Sequence, residues 1–282
     1  MIVAVVNADD FGLSPSINEG IEDACKNGIL RSASLMPNGE GFGDAIDRGK
    51  QMPELGVGIH FSLVGERPVA ATHELGGLVG RDGRLPASYT DFARGYLSRK
   101  FTLREARREM EAQITRVLDA GVQPTHLDSH QHVHLLPGLL DLTLDLAEAN
   151  QIGVVRAAYD RAIFSRALAS RRGLQLGVLI FLSALAKGKI RRRGLHCAGF
   201  FHGLAASGHL DTQALCGILS RLGHGVHEIM CHPGFEMPVL RHRYAWGYRW
   251  KTEAEALGSA AAKKLVERRG ISLRSFAEAW RE

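Results

Sequence analysis

The strongest constraint on the fold is a repeated grammar in which a short, unbroken apolar run stops at polar residues and a helical pattern follows. Ile2 to Val6 is such a run, ending in Asn7, Ala8, Asp9 and Asp10. A strand buried on both faces of a parallel sheet requires an apolar stretch without alternation. Ser14 before Pro15 reads as an N-cap with proline in the first helical turn, and the pattern through Ile17, Ile21 and Ala24 closes at Gly28. Val57 to Phe61 reads as a second strand, and Thr102-Leu103-Arg104-Glu105 as a capping box opening a helix that ends near Gly121. Thr125 to Ser129, Ile152 to Val155 and Glu228 to Cys231 are further strand candidates, while Leu136 to Ala149 and Glu253 to Arg268 carry helical patterns. No Pro/Gly/Ser-rich linker or fixed-period repeat interrupts the alternation. It predicts an α/β fold in a single domain over 1–282, a (β/α) barrel or a close variant. The G-x-G-x-x-G and P-loop patterns are absent, which counts against an open nucleotide-binding sheet.

Composition adds limits. With 45% hydrophobic and 23% charged residues, disorder and collagen-like structure are excluded. Cys25, Cys197, Cys216 and Cys231 have no C-x-x-C spacing, so neither a disulfide framework nor a thiolate zinc site is expected. No secretory leader is recognisable, and a cytoplasmic protein is expected. The formal net charge is +5, but 156–193 holds ten Lys/Arg against Asp160 alone, so it carries +9 and the remainder −4. The basic balance is local.

Polar residues with chemical potential sit where the predicted strands end: Asp9 and Asp10, His60, the group His126, Asp128, His130, His132 and His134, then Arg156 and His232. Strand C-termini of a parallel barrel converge on one face, so five segments would deliver carboxylate and imidazole to one pocket. Singly, each has an ordinary explanation as a turn, an N-cap or a hydrogen-bonded core histidine. Together they would be costly to bury unless a cation compensates them. A carboxylate with two imidazoles suits a catalytic metal that keeps positions open. Of two adjacent aspartates, one can bind the ion while the other takes a proton from water.

At these residues the chain resembles a known family. Asn7-Ala8-Asp9-Asp10-Phe11-Gly12-Leu13, Gly58-Ile59-His60-Phe61, the run from Pro124 to His134, and Met230-Cys231-His232-Pro233 are similar, in order, to motifs of the YdjC/ChbG-like carbohydrate deacetylases. The resemblance implies a distorted TIM-like barrel, a divalent metal, Zn2+ or Mg2+, and removal of an N-acetyl group from an amino sugar. It implies Asp10, His60 and His130 as metal ligands, Asp9 as general base and His232 as general acid. Sequence alone permits the two aspartates to exchange roles. Arg156, ending its own strand, would hold the base carboxylate ionised. His126, Asp128, His132 and His134 are candidates for supporting the ligands or touching sugar.

The region 161–193 departs from the soluble chitooligosaccharide-type members. Leu174 to Ala186 is mostly large apolar residues between Arg171-Arg172 and the cluster from Lys187 to Arg193. A membrane span needs about 20 residues, so this stretch is too short. It is expected either to pack as a basic-ended helix, against this barrel or a second subunit, or to meet an anionic membrane surface peripherally. The latter fits the resemblance to the hopanoid-biosynthesis-associated subgroup, which implies an N-acetylglucosaminyl hopanoid as substrate. Deacetylation of soluble chitooligosaccharides by a homodimer and a non-catalytic carbohydrate- or lipid-binding barrel are the alternatives. Nucleic acid is not expected as a partner, because no stacking platform accompanies the charge. Trp246, with Tyr244, Tyr248 and Trp250, reads as a sugar-stacking wall or as a half-buried strand.

Overall fold

The structure, a computed structural model, describes residues 1–160, 171–235 and 237–281. In chain order the elements are β1 (Ile2–Phe11), α1 (Pro15–Lys26), β2 (Ser32–Leu35), α2 (Phe42–Gly49), β3 (Gly56–Phe61), α3 (Tyr89–Leu97), α4 (Leu103–Asp119), β4 (Leu127–Ser129) and α5 (Leu139–Ala149). Then come α6 (Arg171–Arg192), β5 (Phe200–His202), α7 (Thr212–Leu219), β6 (Gly225–Cys231), α8 (Pro238–Arg243), α9 (Trp250–Gly258), α10 (Ala260–Arg268) and β7 (Ile271–Leu273). The strands lie in the order β4-β3-β2-β1-β6-β5, with β7 also on β1, and every pairing is parallel.

Between β4 and β5 the regular ladder is open. Among the described residues, two isolated parallel bridges lie there, Leu127–Val155 and Val154–His196. The sheet is therefore a curled half-barrel that fits a distorted TIM-like barrel without being a closed one. The run from Ile152 to Val155 contributes those bridges instead of a full strand. The pattern from Glu253 to Arg268 is two helices, because Ser259 takes an extended conformation and caps α10 through Ala262 N–H. Other local signals act as read: Ser14 accepts from Ile17 N–H, and Thr102 with Glu105 closes the capping box of α4. Of the basic apolar region, 161–170 lie outside the described residues.

Alternation along β1 divides the core. Ala4, Val6 and Ala8 join the main apolar cluster beneath the helices. Val3 and Val5 face the other way and pack with Val154, Phe276 and Ala279. Asn7 and Asp9 follow on that second face, so the polar site lies above an apolar plug.

The loop after β6 is held between helices. Gly234 N–H donates to Trp250 C=O and Phe235 N–H to Ser16 C=O. A Cβ on Gly20 of α1 would lie 2.3 Å from Gly234 Cα, so α1 meets this loop backbone to backbone. Gly20→Ala should cost about 1–3 kcal/mol through overpacking, read as a lower urea midpoint.

Candidate active site

A β-bulge brings two adjacent aspartates into one place. Asn7 and Ala8 pair with Ser32 and Ala33, yet Leu35 is met by Phe11 where an unbroken register would set Asp10, so β1 uses one residue more than β2. Asp10 takes φ 66°, a left-handed conformation unusual for a non-glycine residue. The ordinary alternation of a strand is broken there, and the carboxylates of Asp9 and Asp10 both reach the site.

Asp10 Oδ1 lies 2.9 Å from His130 Nδ1 and 3.5 Å from His60 Nε2. Candidate donor atoms of Asp10, His60 and His130 lie within 4.8 Å of one another, and all three residues are buried. Burial alone would raise the Asp10 carboxyl, yet His130 and His60 hold it well below the usual carboxylate range. Its Oδ2 is buried without a hydrogen-bond partner. One carboxylate, two imidazoles and an unsatisfied oxygen fit a divalent ion.

A second acid and imidazole group, Asp9, His60 and Asp128, is equally close-set. Here the protein supplies its own cation. Arg156 is fully buried; it donates from Nη1 and Nη2 to the two oxygens of Asp9 at 2.7 Å each and from Nε to Glu228 Oε1 at 2.6 Å. Its Nη1 also pairs with Asp128 Oδ2 at 2.6 Å. Asp9 is consequently lowered despite its burial. His60 Nδ1 lies 2.7 Å from Asp128 Oδ1; although burial opposes its charge, Asp128 and Asp9 push its pKa up to about 10. Burial pushes Glu228 up to about 7.

The remaining histidines separate by place. His126 is buried between Ser34 Oγ and Thr125 Oγ1, each at 2.9 Å, and packs against the Phe276 ring at a tilt without lining the cavity. His134 bridges Ser129 Oγ and the Arg156 carbonyl at 2.7 and 3.1 Å. Burial lowers His126 to about 3 and His134 to about 4, so both are neutral supports. His132 reaches the cavity and is likewise lowered, to about 3. It follows Gln131, and both adopt left-handed φ values, 54° and 55°, uncommon for non-glycine residues.

A cavity of about 580 Å3 joins Asp9, His60, His130, His132, His232 and Trp246. Leu176, Val178, Leu179 and Leu182 of α6 form an apolar wall. Beyond Trp246 lies a second cavity of about 430 Å3, bordered by Glu66, Arg84 and Arg243; His130 and Trp246 line both. Glu66 is held by Arg243 and by the Tyr244 hydroxyl at 2.7 and 2.6 Å, which fixes that border. A larger hollow of about 1110 Å3 between α6, β5 and α7 contains none of the aspartates or histidines predicted for the site. Glu228 and Glu66 escaped the sequence reading. Glu228 had a detectable signal, an acid opening the apolar run that ends at Cys231.

The profile of the YdjC-like protein family matches residues 3–268. A chitooligosaccharide deacetylase of Salmonella schwarzengrund is 34% identical, the match covering 97% of this chain and 98% of the relative. One of Klebsiella pneumoniae is 33% identical over the same shares. A crystal structure from Enterococcus faecalis V583, described as a candidate cellobiose-phosphate cleavage protein, superposes with a TM-score of 0.78 at 26% identity, covering 98% of this chain and 97% of that one.

The charges generate two expectations. With its pKa pushed up to about 10, His60 favours the doubly protonated ring at neutral pH, and an ion held by Asp10, His60 and His130 would compete with one of those protons. Calorimetric titration with zinc, in buffers of different ionisation heat, should show release of about one proton per ion at about pH 7.5 and tighter binding as pH rises. Zinc binding with no dependence on buffer would refute this. Arg156→Met should destabilise by about 3–5 kcal/mol in chemical denaturation, because it strands buried carboxylates without their cation.

Proposed function

The chain belongs to the YdjC-like family, and from that premise we propose that it is a hydrolase removing the N-acetyl group from an N-acetylglucosamine-type amino sugar. The observation that carries the proposal is the convergence, in one cavity, of an arginine-bound aspartate and a histidine beside a carboxylate and two imidazoles suited to an ion. Asp10, His60 and His130 would hold the ion, zinc or magnesium, which when bound supplies charge to polarise the acetyl carbonyl and acidify water.

The chain's own residues do the rest. Arg156 keeps Asp9 ionised by a two-pronged contact, and Asp9 accepts a proton from the attacking water. The water oxygen stays on the acetyl carbon, the C–N bond breaks, and His232 donates a proton to the departing nitrogen. Acetate and a free amino sugar result. Asp128 orients His60 through Nδ1, leaving Nε2 toward Asp10.

Soluble chitooligosaccharides are the preferred substrate. Relatives covering nearly the whole chain are named for that activity, and the cavity beyond Trp246 offers room for a further sugar ring. A second reading, a hopanoid-linked amino sugar with the protein peripheral to a membrane, draws on α6. Its apolar wall flanks the cavity, while Val178, Phe181 and Leu185 remain 54%, 63% and 55% exposed. Part of the positive charge is neutralised internally, since Lys189 pairs with Asp141 and Arg193 with Asp145 and Glu148. Among the described residues no helix is long and apolar enough to cross a membrane. The same exposed stripe would serve a second copy in a homodimer.

Acetate release should be measured with zinc, magnesium or chelator on N-acetylglucosamine, its di- and trisaccharides, and a hopanoid-linked form. Disaccharide should exceed monosaccharide about tenfold in kcat/KM, and Trp246→Ala should remove most of that advantage, roughly 1.4 kcal/mol. Turnover of the lipid-linked form alone would favour the second reading. No acetate from any of them would leave a non-catalytic binding barrel.

A further inference from the structure

Glu253 is a carboxylate whose burial the reaction leaves unexplained. It stands in the first turn of α9, fully buried. Its Oε1 accepts from Leu210 N–H at 3.1 Å and its Oε2 from His232 N–H at 2.5 Å. The same Oε2 lies 4.0 Å from His232 Nδ1, and that ring nitrogen is buried without a hydrogen-bond partner. Backbone N–H groups could be satisfied by a neutral oxygen. A carboxylate in so dry a place is costly unless a cation offsets it. The facing groups are the imidazoles of His232 and His209, with the neutral Cys231 thiol and Tyr248 hydroxyl near the pair; burial raises the Glu253 carboxyl, and the His232 imidazole, the two N–H donors and His209 counter that rise in part.

We infer that Glu253 is the positioning residue for His232, orienting its ring through the Nδ1 edge and balancing its charge while the opposite edge gives a proton to the leaving nitrogen. The inference rests on the deacetylase reading. Glu253 itself exchanges no proton: the His232 proton goes to nitrogen as the C–N bond breaks, the electron pair of that bond goes with the nitrogen, and the ring becomes neutral. The main chain already ties the two residues together. The oxygen that accepts from the His232 backbone N–H also stands 4.0 Å from the ring Nδ1, so loop and side chain face the same carboxylate.

The test compares two leaving groups. An amide nitrogen needs the proton, whereas the phenolate of 4-nitrophenyl acetate leaves without it. Glu253→Gln, which keeps side-chain size but not charge, should lower kcat on the N-acetyl sugar by about ten- to hundredfold with KM nearly unchanged, and ester hydrolysis by less than about threefold. His232→Ala should show the same split, and the double variant should be no slower than His232→Ala alone. If Glu253→Gln does not fold, Glu253→Asp, which keeps the charge on a shorter arm, carries the same comparison and should lose less on the amide than His232→Ala. Equal losses on amide and ester, or losses that add in the double variant, would overturn the inference while leaving a deacetylase. A wild-type enzyme that releases no acetate would overturn the deacetylase reading and this inference with it.

Discussion

The site is organised by one buried guanidinium. Arg156 follows the strand-like bridge at Val154–Val155 and reaches carboxylates on three strands: Asp9 on β1, Asp128 on β4 and Glu228 on β6. Without it three acids would face each other in a medium that solvates none of them, and the strands carrying them would be pushed apart. With it, side chains reinforce the open side of the half-barrel, where the backbone pairs only through isolated bridges. Asp128 passes this order to His60, and His60 passes it to Asp10. The charge that stabilises the fold is thereby the charge that orders the candidate site.

Local signals made much of this legible. The apolar run of β1, the N-cap at Ser14, the capping box at Thr102 and the strand at Gly56–Phe61 depend on neighbouring residues and could be read directly. β2 could not: Ser32-Ala33-Ser34-Leu35 has half-polar side chains whose polarity makes sense only once Ser34 Oγ meets Asn7, His126 and Asp128. The three-residue β5 and β7 are too short for any period to declare itself. The break at Ser259 is equally invisible to periodicity, since the apolar pattern continues across it.

For the site, the spacing of aspartates and histidines pointed to strand ends that the fold brings together, but did not sort the residues by surroundings. His126 and His130 stand four residues apart, yet one is sealed between hydroxyls over Phe276 and the other faces Asp10. Alternation alone would set both on one face; they differ because β4 ends at Ser129 and His130 lies beyond it, an end that no composition rule predicts. Glu66 and Glu253 were unreadable for another reason. Their roles are defined by residues far away in the chain, Arg243 and Tyr244 for one and His232 for the other.

The conformation of Asp10 reaches beyond geometry into which sequences the fold can tolerate. A left-handed residue is comfortable for glycine, asparagine and aspartate, because a short polar side chain offsets part of the steric penalty, and poor for β-branched ones. Position 10 is thus selected twice, once by what its carboxylate touches and once by what its backbone must do. Asparagine changes the first and spares the second, whereas valine or threonine changes both. A glutamate, with the same charge on a longer arm, would meet the histidines from a backbone that no longer favours its own residue. The backbone at this point therefore disfavours β-branched residues before any question of catalysis arises.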